Sequence, residues 1–381
     1  MDVVRTPADH AALVRALAAA LGAERVIETH ISSVLLAGAR AYKLKKPVHF
    51  GFLDFSTLTQ REHFCREELR INRRGAPQLY LDVLPVTGAL GAPQLGGAGE
   101  PIDCALVMRR FDPAQGLDQL AARSALTAAD IDALAAAVAA LHAKAARAPV
   151  DGGLGTPATV RRWADDNLAE LRALSHAAAD RARVDALAQA SARGFAQHEA
   201  RIAARLRDGF VRECHGDLHL ANAVMIDGAP VLFDALEFNA ELRWIDVVSD
   251  VAFLFMDLLD HDAAPLAWRL LGGWAEATGD WDGLALLRWY ATYRALVRAK
   301  VALRDASAEF QLQAGWGGTP LPDGAIAAAD PRLPEAGWRA LATAPPAEDA
   351  GEAAYDLHRL SLGLPDGAPD LEPQKSVLLE G

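Results

Sequence analysis

Cysteine is scarce in this chain: Cys65, Cys104 and Cys214 are the only three in 381 residues, far apart, with no CxxC pair. That count argues against a disulfide framework and a cysteine-rich zinc site, and it fits a reducing compartment. Long clean apolar runs are missing, so no stretch reads as a bilayer span. The N-terminus lacks a basic segment followed by an apolar one. Instead HAALVRALAAALG sets Leu13, Val14, Leu17 and Leu21 at helical spacing and stops at Gly22, the pattern of an amphipathic helix. The expectation is a soluble, cytoplasmic protein without a membrane partner. Positive charge is not in excess either: the formal net charge is −12. That balance speaks against general nucleic-acid binding and suits solubility. No internal repeat is present, and no sequence feature sets an oligomeric state.

What is present suffices for a large folded body. The chain is 51% hydrophobic and 23% charged, enough to bury a substantial core. Its length suits two domains or one two-lobed unit. SSVLLAGARAYKLKKPV predicts two short strands turning at Ala37-Gly38. STLTQREHFCREELRINRR then shifts to helical spacing, with Ser56 as N-cap and Phe64, Leu69 and Ile71 as its apolar content. LYLDVLPVTGAL and IDCALVMRRF read as strands joined by a turn in GAPQLGGAGEP. After Phe111 the pattern is mainly helical, clearest in LTAADIDALAAAVAALHAKA and RWYATYRALVRAKVAL. One strong β signal interrupts it. The predicted class is therefore α+β: a small mixed sheet lobe over residues 1–110, a larger mainly helical lobe over 111–343, and a loosely ordered tail over 344–381 rich in Pro, Ala, Gly and acid. A cleft between such lobes is where a ligand is expected.

The β signal lies within CHGDLHLANAVMIDGAPVLFDALEFN, residues 214–239. NAVMI and PVLFD are strand-like, and DGA between them supplies a turn. If they pair, Asn222 and Asp234 come to the same open end, on strands about 4.8 Å apart. An amide oxygen and a carboxylate at that separation suit a hard cation such as Mg2+. Asp217, on the loop that feeds the hairpin, faces the same space. This is the arrangement phosphoryl transfer requires: two oxygen ligands for the metal and a separate aspartate for the attacking hydroxyl. A zinc site on Cys214, His215 and His219 is the competing reading. HxxxH ligation needs a helix face, however, and Gly216 with the following hairpin opposes one. The two histidines are expected to bond the loop backbone.

The run His215-Gly216-Asp217, then Asn222, then Asp234 resembles the catalytic loop and metal aspartate of the protein-kinase-like superfamily. HGDLHxxN followed by FDxxEF is most similar to its aminoglycoside phosphotransferase-like branch of small-molecule kinases. The resemblance covers roughly residues 28–305. It implies a two-lobed kinase-like fold, ATP as donor, Mg2+ on Asn222 and Asp234, and Asp217 as the base for a hydroxyl of a small-molecule acceptor. It further implies a strand lysine for the phosphates, Lys43 with Lys45 as the alternative, and a helix glutamate to hold it, Glu68 or else Glu67. ALVMRRF resembles the strand and connector that meet the adenine, which assigns Met108. Asp250 would anchor the catalytic loop from below. A protein-kinase glycine loop is lacking, since THISSVLLAGARAYK holds only Gly38. Ser32 and Ser33 are the candidate phosphate donors there. Some uncharacterised relatives of this type carry a C-terminal ATPase domain; this chain has no GxxxxGK[ST], so that domain is not expected. The alternative reading is a catalytically silent kinase-like module that binds nucleotide or a protein. Arg294, Arg298 and Lys300 are read as a solvated basic face or as partners for the acidic loop.

Overall fold

The computed structural model describes residues 3–50, 53–175, 178–309, 311–315, 326–329 and 338–342. The tail expected over 344–381 lies outside the described residues. The chain divides into two units, residues 1–162 with 194–295, and residues 163–193 with 296–381.

In the first unit, α1 (Pro7–Leu21) forms where the apolar spacing predicts it. A capping box between Thr6 and Asp9 starts it and left-handed Gly22 ends it. β1 (Arg25–Glu28), β2 (Ser32–Ala37) and β3 (Arg40–Lys45) follow. After the short pair β4 (His49–Phe50) and β5 (Leu53–Asp54) comes α2 (Leu58–Asn72). Thr57, not Ser56, caps α2, because the Ser56 amide and hydroxyl are both bonded to the Asp54 carboxylate. β6 (Tyr80–Ala89), β7 (Ala92–Leu95) and β8 (Asp103–Arg109) complete a sheet of order β1-β2-β3-β8-β6-β7. Every pairing in it is antiparallel, and β7 lies inside the segment read as a turn.

Alternation along the strands gives the sheet two different faces. Leu35, Leu44, Val86 and Ala105 pack with Leu13, Val14 and Leu17 of α1. Each such leucine contributes about 2 kcal/mol by leaving water. On the other face, Cys65 of α2 joins Tyr80, Val83, Cys104 and Leu106, with Val224, Ile226 and Val231 from the later hairpin. Since Leu44 points toward α1, its neighbours Lys43 and Lys45 must project toward α2.

The helical region contains α3 (Leu117–Ala122), α4 (Ala128–Lys144), α5 (Pro157–Leu174) and α6 (Ala178–Arg207). β9 (Val211–Glu213) precedes the hairpin of β10 (Ala223–Ile226) and β11 (Ala229–Leu232). α7 (Ala240–Arg243), β12 (Trp244–Asp246), α8 (Val247–Asp260), α9 (Ala264–Thr278) and α10 (Leu287–Glu309) follow. α8 is buried on nearly every side, which its sequence VVSDVAFLFMDLLD requires, and α9 packs on both α4 and α8. The antiparallel pair of β9 and β12 was not foreseen; three-residue strands are too short to show a period.

In the second unit, an antiparallel sheet of order β13-β15-β14 comprises β13 (Gln311–Gly315), β14 (Ile326–Ala329) and β15 (Trp338–Ala342). It too departs from the mainly helical expectation, in which the central hairpin was the single strong β signal. Arg172 bonds Asp185 at 2.7 Å within this unit. Lys300, one of the residues read as a basic face, pairs with Glu170 at 3.5 Å. Among the described residues no helix is long and apolar enough to cross a membrane. The α+β class read from the sequence is the class of the structure, with an antiparallel sheet ahead of a mainly helical region.

Candidate active site

The hairpin fixes the geometry of the polar segment. Asp227 and Gly228 both have positive φ, 52° and 79°, as a tight two-residue turn demands. The register pairs Ala223 with Leu232, and the Phe233 amide donates to the Asn222 carbonyl at 3.0 Å. Asn222 and Asp234 therefore sit at the same open end.

The loop before the hairpin is held from beneath. Asp250, near the start of α8, accepts from the amides of His215 at 3.1 Å and Gly216 at 2.9 Å. His142 of α4 bonds the same carboxylate through Nε2 at 3.0 Å, and its Nδ1 accepts from Trp274 Nε1 at 3.1 Å. Burial pushes the Asp250 carboxyl up. The hydrogen bond from His142 and the favourable field of its surroundings, the Arg294 guanidinium among them, outweigh it and bring the pKa down to about 2. Arg294 donates to the Gly216 carbonyl at 3.0 Å and the Ser249 carbonyl at 3.1 Å, and Asp257 accepts from the Leu220 amide at 2.8 Å. Gly216 has φ +86°, and a Cβ there would stand 3.0 Å from the Leu242 carbonyl oxygen, so only glycine fits without strain.

Above this support, Asn222 Nδ2 donates to the Asp217 carbonyl at 2.9 Å and to its Oδ2 at 3.1 Å. His219 Nε2 lies 3.4 Å from the same oxygen. His215 Nε2 donates to the Phe233 carbonyl at 2.9 Å, the loop-backbone role expected of it. Burial pushes the Asp217 carboxyl up, but its bond to His219 and the charges of His219, His215 and Arg294 leave it below the usual value. Asp217 is thus an anion whose side chain is still 41% exposed.

Asp234 is 43% exposed and has the left-handed φ of 59°. Tyr80 Oη accepts its amide at 2.9 Å, and Asn72 Oδ1 accepts the Ala235 amide at 2.8 Å. Lys43 Nζ donates to Asp234 Oδ1 at 2.7 Å and to Glu68 Oε1 at 2.8 Å. Lys45 Nζ donates to Glu68 Oε2 at 2.7 Å and to the Glu237 carboxylate. Glu67 instead pairs with Arg70 and Arg243. Burial opposes the charge on Lys43, and Asp234 and Glu68 more than restore it, so its pKa stands well above the ordinary value. Burial raises the Asp234 carboxyl and Lys43 lowers it further, to a net depression.

Lys43, Glu68 and Asp234 thus form one bonded group and Asp217 with Asn222 another, and the backbone bond from Phe233 to Asn222 at the hairpin end links the two. Met108 sits in β8 opposite Ala41 and Tyr80, on the sheet face that carries Lys43. Ser32 and Ser33 are not brought to the open side. Both are fully buried; Ser32 stands opposite Lys45, and Ser33 donates to Glu28 at 2.8 Å and bonds His10 at 2.8 Å on the α1 face. Sequence reading missed Asn72, Tyr80 and His142. Of the two readings of Arg294, a solvated face or a partner for the acidic loop, the second holds: that side chain is buried and donates to the Gly216 carbonyl of the loop. Asn72 had a signal, one helical turn beyond Glu68 on α2; Tyr80 had none.

The donors suit magnesium. Asn222 commits its amide nitrogen to Asp217, which leaves Oδ1 as its remaining acceptor, and Asp234 retains Oδ2 beside the lysine-bound oxygen. Two hard oxygens with room for water and phosphate is the coordination Mg2+ prefers. His142, Cys214 and Asp250 also lie within reach of one another. Both nitrogens of His142 are engaged, the Cys214 thiol donates to the Ile245 carbonyl at 3.4 Å, and burial pushes that thiol well up. That cluster is a support for the loop rather than a metal centre.

No family model matches the chain. An uncharacterised protein of Mycobacterium tuberculosis and one of Mycobacterium bovis are each 37% identical over 279 residues, 72% of this chain and 54% of theirs. The chain thus spans about half the length of the curated relatives it matches. Solved structures similar to it are small-molecule kinases and phosphotransferases. A glucosamine kinase has a TM-score of 0.41 and 17% identity, covering 77% of this chain and 92% of its own. A spectinomycin phosphotransferase solved with ADP and spectinomycin has 0.43 and 14%, covering 74% and 82%. A choline kinase of Cryptosporidium parvum has 0.44 and 10%, covering 74% and 82%.

Proposed function

We propose that the chain is an ATP-dependent phosphotransferase of the kinase-like kind, moving a γ-phosphoryl group to a hydroxyl of a small molecule. The observation that carries this reading is the convergence of Asp217, Asn222 and Asp234 with the Lys43–Glu68 pair, from three separate parts of the chain: β3, α2 and the hairpin segment. Residues 1–110 would carry the nucleotide contacts, and the helical part up to residue 343 the catalytic loop and the acceptor contacts. Its three buried free thiols suit work in a reducing cytoplasm.

In this reading Asn222 Oδ1 and Asp234 hold Mg2+, which when bound neutralises charge on the phosphates. Lys43, braced by Glu68, takes phosphate oxygens in place of Asp234. Met108 and the strand end beside it bound the adenine side. Asp217 orients the acceptor hydroxyl and takes its proton as the new P–O bond forms and the bond to ADP breaks. Its depressed pKa keeps it ionised and ready to accept a hydrogen bond at neutral pH. The rate enhancement comes from positioning and charge neutralisation.

Calorimetric titration of ATP with and without Mg2+, on the wild type and on Asp234→Ala, tests the reading. Magnesium-dependent binding that the substitution weakens is the expected result, to be followed by an acceptor screen read by ADP release. A wild type that binds no ATP in either condition overturns it.

A further inference from the structure

β3 delivers two lysines to one glutamate, and the two ends of the resulting chain differ. The order is Asp234–Lys43–Glu68–Lys45–Glu237, three carboxylates and two ammonium groups joined by four ion pairs. At one end Lys43 is 12% exposed and Asp234 43%. At the other, Lys45 and Glu68 are wholly sealed and Glu237 nearly so. An exposed end can change partners at small cost, whereas a sealed ammonium group that loses its carboxylate is left charged in a low-dielectric interior. Lys45 also lies over the Phe55 ring, at 4.7 Å from its centre, which leaves it little room to move.

The sealed end is tied to the loop that bears Asp234. From Asp234 to Glu237, that loop is bonded by groups of the sheet and α2: Tyr80 at the Asp234 amide, Asn72 at the Ala235 amide, and Lys45 at the Glu237 carboxylate. The helical region holds the loop as well, through the Leu236 amide on the His215 carbonyl at 3.0 Å and Arg243 on the Glu237 carbonyl at 2.9 Å, so Lys45 is the tie that joins the far end of the loop to the sheet. Asp234 holds a left-handed backbone conformation, which persists where its surroundings determine it.

We propose that Lys45 and Glu237 are a positioning pair for the nucleotide site: they hold Glu68 and the Asp234 loop still while Lys43 exchanges Asp234 for a nucleotide phosphate. The two strand lysines thus divide the work, one fixed and one exchangeable. The inference rests on the phosphotransferase reading and adds two residues to it.

The test removes both charges together, in Lys45→Met/Glu237→Gln, so that no lone charge stays buried. ATP affinity is measured with and without Mg2+, alongside the thermal midpoint. The double variant is expected to melt cooperatively, to keep its magnesium-free ATP affinity through Lys43, and to lose about tenfold in the factor by which magnesium tightens ATP binding. A purely structural pair would leave that factor unchanged once the fold is retained, and this result overturns the inference alone. If the double variant does not melt cooperatively, Glu237→Gln, which keeps an oxygen for Lys45, carries the same test. Its magnesium factor must then fall by roughly threefold or more; an unchanged factor again overturns the inference. A wild type that binds no ATP overturns the phosphotransferase reading, and the division of labour with it.

Discussion

Asp217 is held on one side by the Asn222 amide and by His219, and its carboxylate still meets solvent. That combination gives Asp217→Asn a specific outcome. Phosphoryl transfer should fall by about a thousandfold, because proton acceptance by a placed group contributes on that order. ATP affinity should change little, since Lys43 and Asp234 are untouched; ADP release and calorimetry check the two halves. Gly216→Ala forces a side chain into left-handed backbone against the Leu242 carbonyl. It should lower stability by about 2 kcal/mol, read as a fall in thermal midpoint. At this scale the aspartates and Asn222 were legible because they lie in one continuous motif. Glu68 was not separable from Glu67, because each helical residue turns about 100° and the direction of β3 is not written in the sequence. Ser32 and Ser33 lie on opposite faces of β2, and Ser33 is drawn to His10, a residue from a helix that carried no functional signal.

Among the elements, α8 does the most for the site. Its Asp250 carboxylate, with a pKa of about 2, supports the loop through two amides. The value in an unfolded chain is near 3.8. A depressed folded pKa means that the contribution is complete above about pH 4 and is lost as pH falls toward about 2; its size is about 2 kcal/mol. Asp250→Asn should therefore be less stable than the wild type at pH 6, with the gap narrowing between about pH 4 and pH 2 in denaturant melts. The helix falls in the stretch after Phe111 that reads as mainly helical, and its burial follows from a run as apolar as VVSDVAFLFMDLLD. β9 and β12 were hidden by brevity, and β12 by its position directly ahead of α8. The cap of α2 moved by one residue because Asp54 claims Ser56, a choice between local bonds that composition cannot make.

Across the first unit, the sheet and the helical region meet along a polar and an apolar seam. Glu213 of β9 takes Arg70 and Arg74, at and just beyond the end of α2, at 2.6 and 3.2 Å, and Arg243 at 3.2 Å. Glu213→Ala takes a shared carboxylate from three guanidinium groups, of which Arg70 and Arg243 keep Glu67, and should cost about 2 kcal/mol, read from the denaturation midpoint. The apolar seam is the shared cluster of Tyr80, Val83 and Leu106 with Val224, Ile226 and Val231. The pairings that cross the seam were not legible in advance, for each joins residues more than a hundred positions apart; Arg243, 30 positions from Glu213, lies on the same side of it. The consequence concerns the covalent link after β8, near residues 111–116. A single peptide break there should leave two fragments that stay associated through native purification, because the seam and not the link makes them one body. The same two pieces, expressed as separate chains, should find each other and rebuild the site that neither contains alone.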